Sequence, residues 1–325
     1  TVYTRILKNL FPDTPVVIGG IEASLRRLTH YDYWSDSLKP SVLVESGADL
    51  LSYGMGDRVI LDIAKAMSNG FNMKLLRKLR QVAFATDRKY ADSLGENALR
   101  LHPFETCLKD RRAFGENFRT IETESNRMEA RTLIEPVGEK YIVVNPPYPK
   151  LSEAELDRSF DLPYTRLPHP RYRGKGDIPA YEMIKFSVNL HRGCFGGCSF
   201  CTISAHQGKF ISSRSEKSIL GEVRKIAAMP GFKGYLSDLG GPSANMYRMG
   251  GRDKTLCARC SRPSCIHPAV CRNLDNDHRP LLELYGKVGR IEGIKKAFIG
   301  SGIRYDLFER GDETYLREVI RNHVS

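Results

Sequence analysis

Three closely spaced cysteines that directly follow a predicted strand constrain this chain more than any other feature. The strand is predicted because apolar residues alternate with polar ones at Ile184, Phe186, Val188 and Leu190. The loop after it reads His191-Arg-Gly-Cys194-Phe-Gly-Gly-Cys198-Ser-Phe-Cys201. Its glycines allow tight backbone turns around a bound metal. In an α/β sheet, ligands gather where such strands end, so the loop is the first candidate for a functional site.

The number of cysteines in this loop suggests what it holds. Four thiolates would saturate a structural zinc ion or a cubane iron–sulfur cluster. The three at Cys194, Cys198 and Cys201 leave one iron of a 4Fe–4S cluster without a protein ligand. Two alternatives remain: a zinc site with His191 or His206 as fourth ligand, or a cluster completed by a distant cysteine.

A second group of cysteines follows within fifteen residues, with the spacing C-x2-C-x4-C-x5-C. This spacing predicts a second metal, either structural zinc or an auxiliary iron–sulfur cluster; the alternative is free or paired cysteines. Clustered cysteines in a chain of 325 residues without an export signal favour metal over a disulfide framework. The group consists of Cys257, Cys260, Cys265 and Cys271. The eighth cysteine, Cys107, stands apart and is interpreted as an ordinary buried or free thiol.

The hydrophobic pattern predicts an α/β fold. Short apolar runs at 15–20, 48–53 and 81–85 read as strands, and helical patterns lie between them, which predicts a parallel sheet with helical crossovers. We predict an α/β domain over 1–90, an irregular connecting region over 91–183 and a second domain over 184–325. The second domain carries three predicted strand–helix units and a cysteine-rich insertion at 243–280. A closed barrel of eight such units needs about 250 residues, so this one would be a partial barrel that stops after about three units.

Net charge and hydropathy limit which binding partners and which cellular location are expected. The net charge is +12, which favours an acidic partner such as RNA or else a solvated basic surface. No run of eighteen apolar residues exists, so no membrane partner is expected. No signal peptide is visible, and the chain is predicted to be cytoplasmic. Its first residue is Thr1, which indicates a fragment or a processed product.

The first cysteine loop resembles the signature of the radical S-adenosylmethionine superfamily. That signature is C-x3-C-x2-C with an aromatic residue, here Phe200, before the third cysteine. The resemblance implies that S-adenosylmethionine chelates the open iron of a 4Fe–4S cluster. It also implies reductive cleavage to a 5′-deoxyadenosyl radical, which abstracts hydrogen from a substrate. Phe200 would then pack near the adenine.

Further segments extend this resemblance. Gly240-Gly241 ends the second predicted strand, where the superfamily binds the methionine amino group through backbone carbonyls; Pro242 stands where many relatives have Glu. The alternative is an ordinary strand-to-helix turn. Gly300-Ser-Gly-Ile-Arg304 ends the third strand, so that Ser301 and Arg304 are candidates to touch cofactor or substrate. A plain glycine turn is the competing interpretation.

Nearly the whole chain is similar to the YgiQ-type (UPF0313) family of radical S-adenosylmethionine proteins. The segments that carry the likeness are 188–247, 257–274 and 300–306. The resemblance implies that residues 1–90 form a Rossmann-like domain of the cobalamin-binding type. The cobalamin loop D-x-H-x-x-G is absent, so we interpret this domain as a degenerate or truncated scaffold. The implied second domain is the N-terminal half of a radical S-adenosylmethionine barrel.

The leading hypothesis is therefore a radical S-adenosylmethionine enzyme whose substrate and catalytic residues are unknown. Its expected cofactors and partners are the cluster, S-adenosylmethionine, zinc or a second cluster, and an electron donor such as flavodoxin or ferredoxin. The competing hypotheses are an iron–sulfur electron-transfer protein and a zinc-stabilised RNA-binding module. Trp34 is interpreted as a packing residue.

Overall fold

The computed structural model describes residues 1–70, 72–308 and 313–324. The chain is a mixed α/β protein that divides into two compact units. The first unit comprises Thr1–Pro149, Cys198–Gly208 and Lys254–Pro263. The second unit comprises Lys150–Gly197, Lys209–Asp253 and Ser264–Ser325. This division differs from the predicted boundaries, because residues 91–149 fold with the first unit and are not an irregular connection.

The strands are short and are numbered in chain order. They are β1 (Val17–Ile18), β2 (His30–Asp32), β3 (Ser37–Lys39), β4 (Leu50–Ser52), β5 (Val82–Thr86), β6 (Ala98–Arg100), β7 (Thr132–Val137), β8 (Lys140–Val144), β9 (Ser187–Asn189), β10 (His191–Arg192), β11 (Ser212–Ser213), β12 (Tyr235–Leu236), β13 (Asp238–Gly240), β14 (Gly250–Gly251), β15 (Leu274–Asp275) and β16 (Lys296–Ala297).

The helices alternate with these strands along most of the chain. They are α1 (Val2–Leu10), α2 (Ile21–Leu25), α3 (Val42–Ser46), α4 (Asp57–Ser68), α5 (Met73–Leu76), α6 (Arg88–Ser93), α7 (Phe104–Lys109), α8 (Arg111–Ser125), α9 (Glu153–Phe160), α10 (Pro179–Ile184), α11 (Ile203–Gln207), α12 (Glu216–Ala227), α13 (Lys254–Arg259), α14 (Arg279–Gly289) and α15 (Thr314–Asn322). In addition, 3₁₀ turns span Gly95–Asn97, Pro170–Tyr172, Ala244–Met246 and Tyr305–Leu307.

The sheet of the first unit has six strands in the order β1-β4-β5-β8-β7-β6. β1 pairs with β4 and β6 with β7 in parallel, whereas the other three pairings are antiparallel. The predicted parallel sheet is thus a mixed one. The physical reason is clearest at β7 and β8, where the two-residue turn at Gly138-Glu139, with Gly138 at φ +57°, is too short for a crossover helix.

Alternate residues of this sheet enter two different cores. On one face Leu51, Ala83 and Ile142 pack together, and on the other face Leu50, Phe84 and Val143 do so. All six side chains are buried, because helices and loops cover both faces. This explains why the strands read as continuous apolar runs in the sequence.

A buried carboxyl group on β7 predicts a pH dependence of the first unit's stability. Glu135 is fully buried, and its Oε2 accepts a hydrogen bond from the Thr29 backbone N–H at 2.8 Å. Burial raises the pKa of Glu135 from 4.5 to about 7, because the charged form loses its hydration. The folded state therefore favours the neutral acid. The free energy of unfolding should fall by about 3 kcal/mol as the pH rises from 4.5 through 7.

Replacing this carboxyl by an amide tests that prediction. Glu135→Gln keeps an oxygen that accepts from Thr29 and never ionises, so urea denaturation at pH 5 and pH 8 should give nearly equal stabilities. The wild type should be less stable at pH 8. A wild type and a variant with the same pH profile would contradict the prediction.

The second unit is built on three parallel strand segments. β9 pairs with β13 in the register Ser187↔Asp238 to Asn189↔Gly240, and β12 pairs with β16. Because β12 and β13 belong to one continuous stretch, Tyr235–Gly240 forms the central segment. The predicted strand at 184–190 begins later than expected, since Pro179 starts helix α10, which runs to Ile184.

Helices cover these strands through the main core of the second unit. α12 and α14 contribute Ile219, Val223, Leu284 and Val288, which pack with the strand residue Leu239. Ser215 caps α12, with its side chain accepting a hydrogen bond from the Ser218 N–H, as its sequence predicts. Helices and parallel strands thus alternate here. The partial barrel itself stays a prediction.

Within the described residues, no helix has both the length and the apolar character needed to cross a membrane.

Candidate cofactor site

The carboxyl ends of the three parallel segments lie at one edge of the second unit's sheet. The Leu190 N–H donates to the Gly240 carbonyl at 2.7 Å, and the Leu239 N–H donates to the Phe298 carbonyl at 2.9 Å. The loops that leave this edge begin at His191, Gly241 and Gly300. Because parallel strands end together, the predicted cysteine loop, glycine pair and Gly300-Ser301 turn start from neighbouring positions.

Cys194 lies in this edge and is nearly buried, with 9% of its surface exposed. Its Sγ is 3.7 Å from the Ser243 Oγ, which is also buried. The loop turns sharply on either side of it, with Gly193 at φ +88° and Gly197 at φ +60°. Both values are unfavourable for other residues, so these two glycines fit the prediction of a tightly folded loop.

Cys198 and Cys201 belong to the first unit, and both are partly exposed. The Cys201 N–H donates to the Cys198 carbonyl at 3.0 Å, which closes a turn between the two cysteines. Phe200, between them, is 89% exposed, so its ring is available to a ligand. The Nδ1 of His206, the alternative zinc ligand, lies 3.1 Å from the Ser24 Oγ within the first unit.

The second group of cysteines is divided between the units. Cys257 and Cys260, in the first unit, are linked by a backbone hydrogen bond of 3.2 Å. Cys265 and Cys271, in the second unit, are linked by one of 2.7 Å, and the Cys265 N–H also donates to the Phe195 carbonyl at 3.0 Å. Among the described residues, no three or more His, Cys, Asp or Glu side chains form a ready-made set of metal ligands.

Cys107 lies away from these groups, on α7. It is buried, with its Sγ 3.3 Å from the Asn117 Nδ2, and burial raises its pKa to about 11. The prediction of an ordinary buried thiol is confirmed. It makes Cys107 a suitable control for the clustered cysteines.

The glycine pair is packed so closely that side chains are excluded at both positions. A Cβ on Gly240 would lie 2.6 Å from the Ser301 Oγ, and a Cβ on Gly241 would lie 2.5 Å from the His191 Cε1. The Gly240 carbonyl already accepts the Leu190 N–H within the sheet. The pair therefore serves close packing between β13 and its neighbours.

Asp238 holds the turn that carries Ser301. Its Oδ1 accepts hydrogen bonds from the backbone N–H groups of Gly300 and Ser301, at 2.9 and 3.1 Å, and its Oδ2 accepts from the Ser301 hydroxyl. Asn245 similarly clamps the backbone of Arg304, whose guanidinium pairs with Asp306. In this structure Ser301 and Arg304 shape the turn.

His191 is the most unusual polar residue at this edge. Its side chain is fully buried, and neither ring nitrogen has a hydrogen-bond partner among the described residues. Burial lowers the pKa of His191 from 6.5 to about 3, so the imidazole is neutral at physiological pH. Buried polar atoms without partners cost stability and are rare in native proteins.

The contact of Gly241 with this ring predicts the effect of adding one methyl group. In Gly241→Ala the new Cβ would overlap the buried imidazole, and overpacking of this kind costs about 1–3 kcal/mol. We expect urea denaturation to show that loss. The matched control is Gly221→Ala on α12, where nothing lies within 4 Å of the added Cβ and a gain of about 0.5–1 kcal/mol is expected. Equal effects of the two substitutions would contradict the assignment.

The sequence did not predict the contacts of three residues at the carboxyl edge of this sheet. Asp238, Ser243 and the unsatisfied ring of His191 carry no motif of their own, and their roles depend on contacts between different strands. The one available signal was the position of His191 directly after an alternating strand. The interpretation of Trp34 as a packing residue is wrong: its side chain is 86% exposed and meets only the edge of Tyr33 closely.

The thiol of Cys194 is a donor of the kind that an iron–sulfur cluster requires, whereas the described residues bring no three such ligands together. Cys194 is also sheltered from solvent. The two ring nitrogens of His191 are buried without a hydrogen-bond partner among the described residues, and the space beside the glycine pair is filled by Ser301 and His191. The protein is thus of the α/β class, and its cysteine loop is the feature that points to the radical S-adenosylmethionine proteins.

Comparison with known proteins narrows the class. Residues 1–187 match the family model described as Radical SAM N-terminal. Three UPF0313 proteins align with the full length of this chain. The sequence identity to this chain is 57% for the protein of Porphyromonas gingivalis, 55% for that of Bacteroides thetaiotaomicron and 43% for that of Methanocella arvoryzae. The chain covers 52%, 55% and 53% of those proteins, so it spans about half the length of the curated relatives it matches. The chain belongs to the UPF0313 family of radical S-adenosylmethionine proteins.

Proposed function

We propose that this chain carries the cluster-binding part of a radical S-adenosylmethionine enzyme. The single observation that supports this most is the C-x3-C-x2-C loop, which follows a parallel strand at the carboxyl edge of the sheet. A bound cluster, reduced by an electron donor, would supply the electron for reductive cleavage of S-adenosylmethionine. The substrate is left open.

The cysteines and the aromatic residue of the loop have different proposed roles. Cys194, Cys198 and Cys201 hold the cluster as thiolates, and the iron without a protein ligand is left for S-adenosylmethionine. The exposed ring of Phe200 stacks on the adenine. Asp238 keeps Ser301 in place, which leaves Ser301 to shape the wall of the site.

The second group of cysteines is proposed as a further metal or cluster site. Its ligands would be Cys257, Cys260, Cys265 and Cys271. The backbone hydrogen bond between Cys265 and Phe195 ties part of this group to the first loop. A bound metal would stabilise a segment that contains few buried apolar residues, and iron and zinc analyses of the purified protein distinguish the two kinds of site.

Anaerobic reconstitution with iron and sulfide tests the proposed function. The loaded protein should be brown, and its electron paramagnetic resonance spectrum after reduction should change on addition of S-adenosylmethionine. A simple electron-transfer protein would show the cluster without that change. Stoichiometric zinc in place of iron, with salt-sensitive RNA binding, would support the zinc-stabilised module instead.

A further inference from the structure

Positive charge is concentrated in residues 162–176, which lie between α9 and α10 in the second unit. This stretch, named here the basic segment, contains four arginine or lysine residues and neither Asp nor Glu. The net charge of the whole chain is +12, so the basic segment supplies about a third of it. The four cations are Arg166, Arg171, Arg173 and Lys175.

Three of these cations are available to a partner. Arg171, Arg173 and Lys175 are exposed, and none of them forms an ion pair with a described residue. They lie within five residues of one another, so their charges repel, and a bound anion relieves that repulsion.

The backbone of the basic segment is held in place. The Tyr172 N–H donates to the His169 carbonyl at 3.0 Å, and the Lys175 N–H donates to the Tyr172 carbonyl at 3.1 Å. Nearer its start, the guanidinium of Arg166 pairs with Glu222 on α12. Because an ordered backbone loses less conformational entropy when a ligand binds, the free cations are already presented for binding.

Exposed aromatic rings lie among the cations. Tyr164 is 63% exposed and Tyr172 is 46% exposed. The central carbon of the Arg171 guanidinium lies 6.0 Å from the centroid of the Tyr172 ring. Surfaces that bind single-stranded nucleic acid combine cations, which track the phosphate backbone, with aromatic rings, on which bases stack.

We propose that the basic segment binds a single strand of nucleic acid. Arg171, Arg173 and Lys175 contact phosphates, and the rings of Tyr164 and Tyr172 stack on bases. An acidic protein surface would pair with the cations without a use for the rings. Membrane surfaces are typically bound by basic amphipathic helices, whereas the described basic segment contains a short 3₁₀ turn. Binding of the strand requires neither the cluster nor S-adenosylmethionine.

Fluorescence anisotropy with a labelled oligouridylate of about 15 nucleotides tests this surface. The charge variant replaces Arg171, Arg173 and Lys175 by Gln. At about 50 mM salt it should bind at least about tenfold more weakly than the wild type. The plot of log affinity against log salt should also become shallower by about 2, since each phosphate contact on a single strand contributes about 0.7.

The matched control replaces Lys109, Arg111 and Arg112 by Gln. These three cations of the first unit are also exposed and close in sequence, but no tyrosine lies beside them. The control variant should bind oligouridylate within about twofold of the wild type, because separate surface charges are screened by salt. An equal loss in both variants would show attraction to the whole basic surface and would overturn the assigned site.

Substitutions of Tyr172 separate stacking from charge. Tyr172→Ala should weaken the binding of oligouridylate about 5- to 100-fold, whereas Tyr172→Phe keeps the ring and should stay within about threefold of the wild type. Polyglutamate, which carries negative charge but no bases, is the comparison ligand. Tyr172→Ala should leave its binding unchanged. Because the replaced side chains are exposed, each variant should melt at the wild-type temperature.

Several results would overturn the proposal. Wild-type protein that does not bind oligouridylate at about 50 mM salt is one of them. If Tyr172→Ala weakens both polymers equally or weakens neither, the partner is an acidic protein surface. Tighter binding to phosphatidylserine vesicles than to oligouridylate, lost in the charge variant, would assign a membrane surface instead. The proposed function is untouched by each of these results, since neither cluster nor S-adenosylmethionine enters the measurement.

Discussion

Cys198→Ala is expected to abolish the formation of 5′-deoxyadenosine and to remove the iron that the first cysteine loop holds. With two thiolates left in the loop, the cluster loses one of its three protein ligands, and the spacing offers no substitute within the loop. Iron bound after reconstitution should fall to the level of the second group of cysteines or to zero. Three quantities are measured: the iron and sulfide content of the protein, the visible absorbance from sulfur-to-iron charge transfer, and the amount of 5′-deoxyadenosine by chromatography.

Cys107→Ala is the matched control for this loss. It removes a cysteine that is buried beside Asn117 on α7, and its thiol pKa of about 11 makes it a poor ligand at neutral pH. Iron content and product should equal those of the wild type. An iron content in Cys198→Ala equal to that of the wild type would refute the assigned ligand set.

Arg214→Met should lower the free energy of unfolding by about 3–5 kcal/mol, the range for breaking a buried ion pair. The guanidinium is fully buried over the ring of Phe160, at 4.3 Å from its centroid. It pairs with Glu222 and donates to the Asn189 carbonyl at 2.9 Å and to the Ser218 hydroxyl at 2.7 Å. Methionine fills similar space but leaves those acceptors without this donor. Calorimetry or urea denaturation measures the loss.

Arg317→Met provides the control for that prediction. Arg317 is 67% exposed and pairs with Glu313 one helical turn earlier, so its substitution should cost about 0.5 kcal/mol or less. Because Arg214 joins α12 to the end of β9, its loss should also weaken cluster retention. A cost at Arg214 as small as that at Arg317 would show that the buried network contributes little.

The elements of the fold were predictable where the pattern is local. The apolar run before Gly19-Gly20, the helix that Ser215 caps and the strand before the cysteine loop depend on residues close in sequence, and each is present near its predicted position. The pairing of strands was not predictable in the same way. The region 91–149 was predicted to be irregular because the many charged residues of helix α8 hide the hydrophobic pattern of the strands before and after it. Those strands pair with one another only in the six-stranded sheet.

The candidate site shows the same division. Cysteine spacing is a local property, and it predicts a class of cofactor without knowledge of the fold. The functions of Asp238 and His191 depend on which strands are neighbours. The place of Ser301 after a strand predicts a contact residue, and the tertiary structure adds that its hydroxyl donates to Asp238.

The three cysteines, their spacing and the strand before them were determined by the sequence alone, because thiolate chemistry and strand periodicity depend on residue type and order. Tertiary structure alone decided that the glycine pair excludes side chains and that the His191 ring is buried without partners. Those properties arise from the approach of segments about fifty residues or more apart, which no local pattern records. The loop predicted the class of protein, whereas the packing behind it was decided by the tertiary structure.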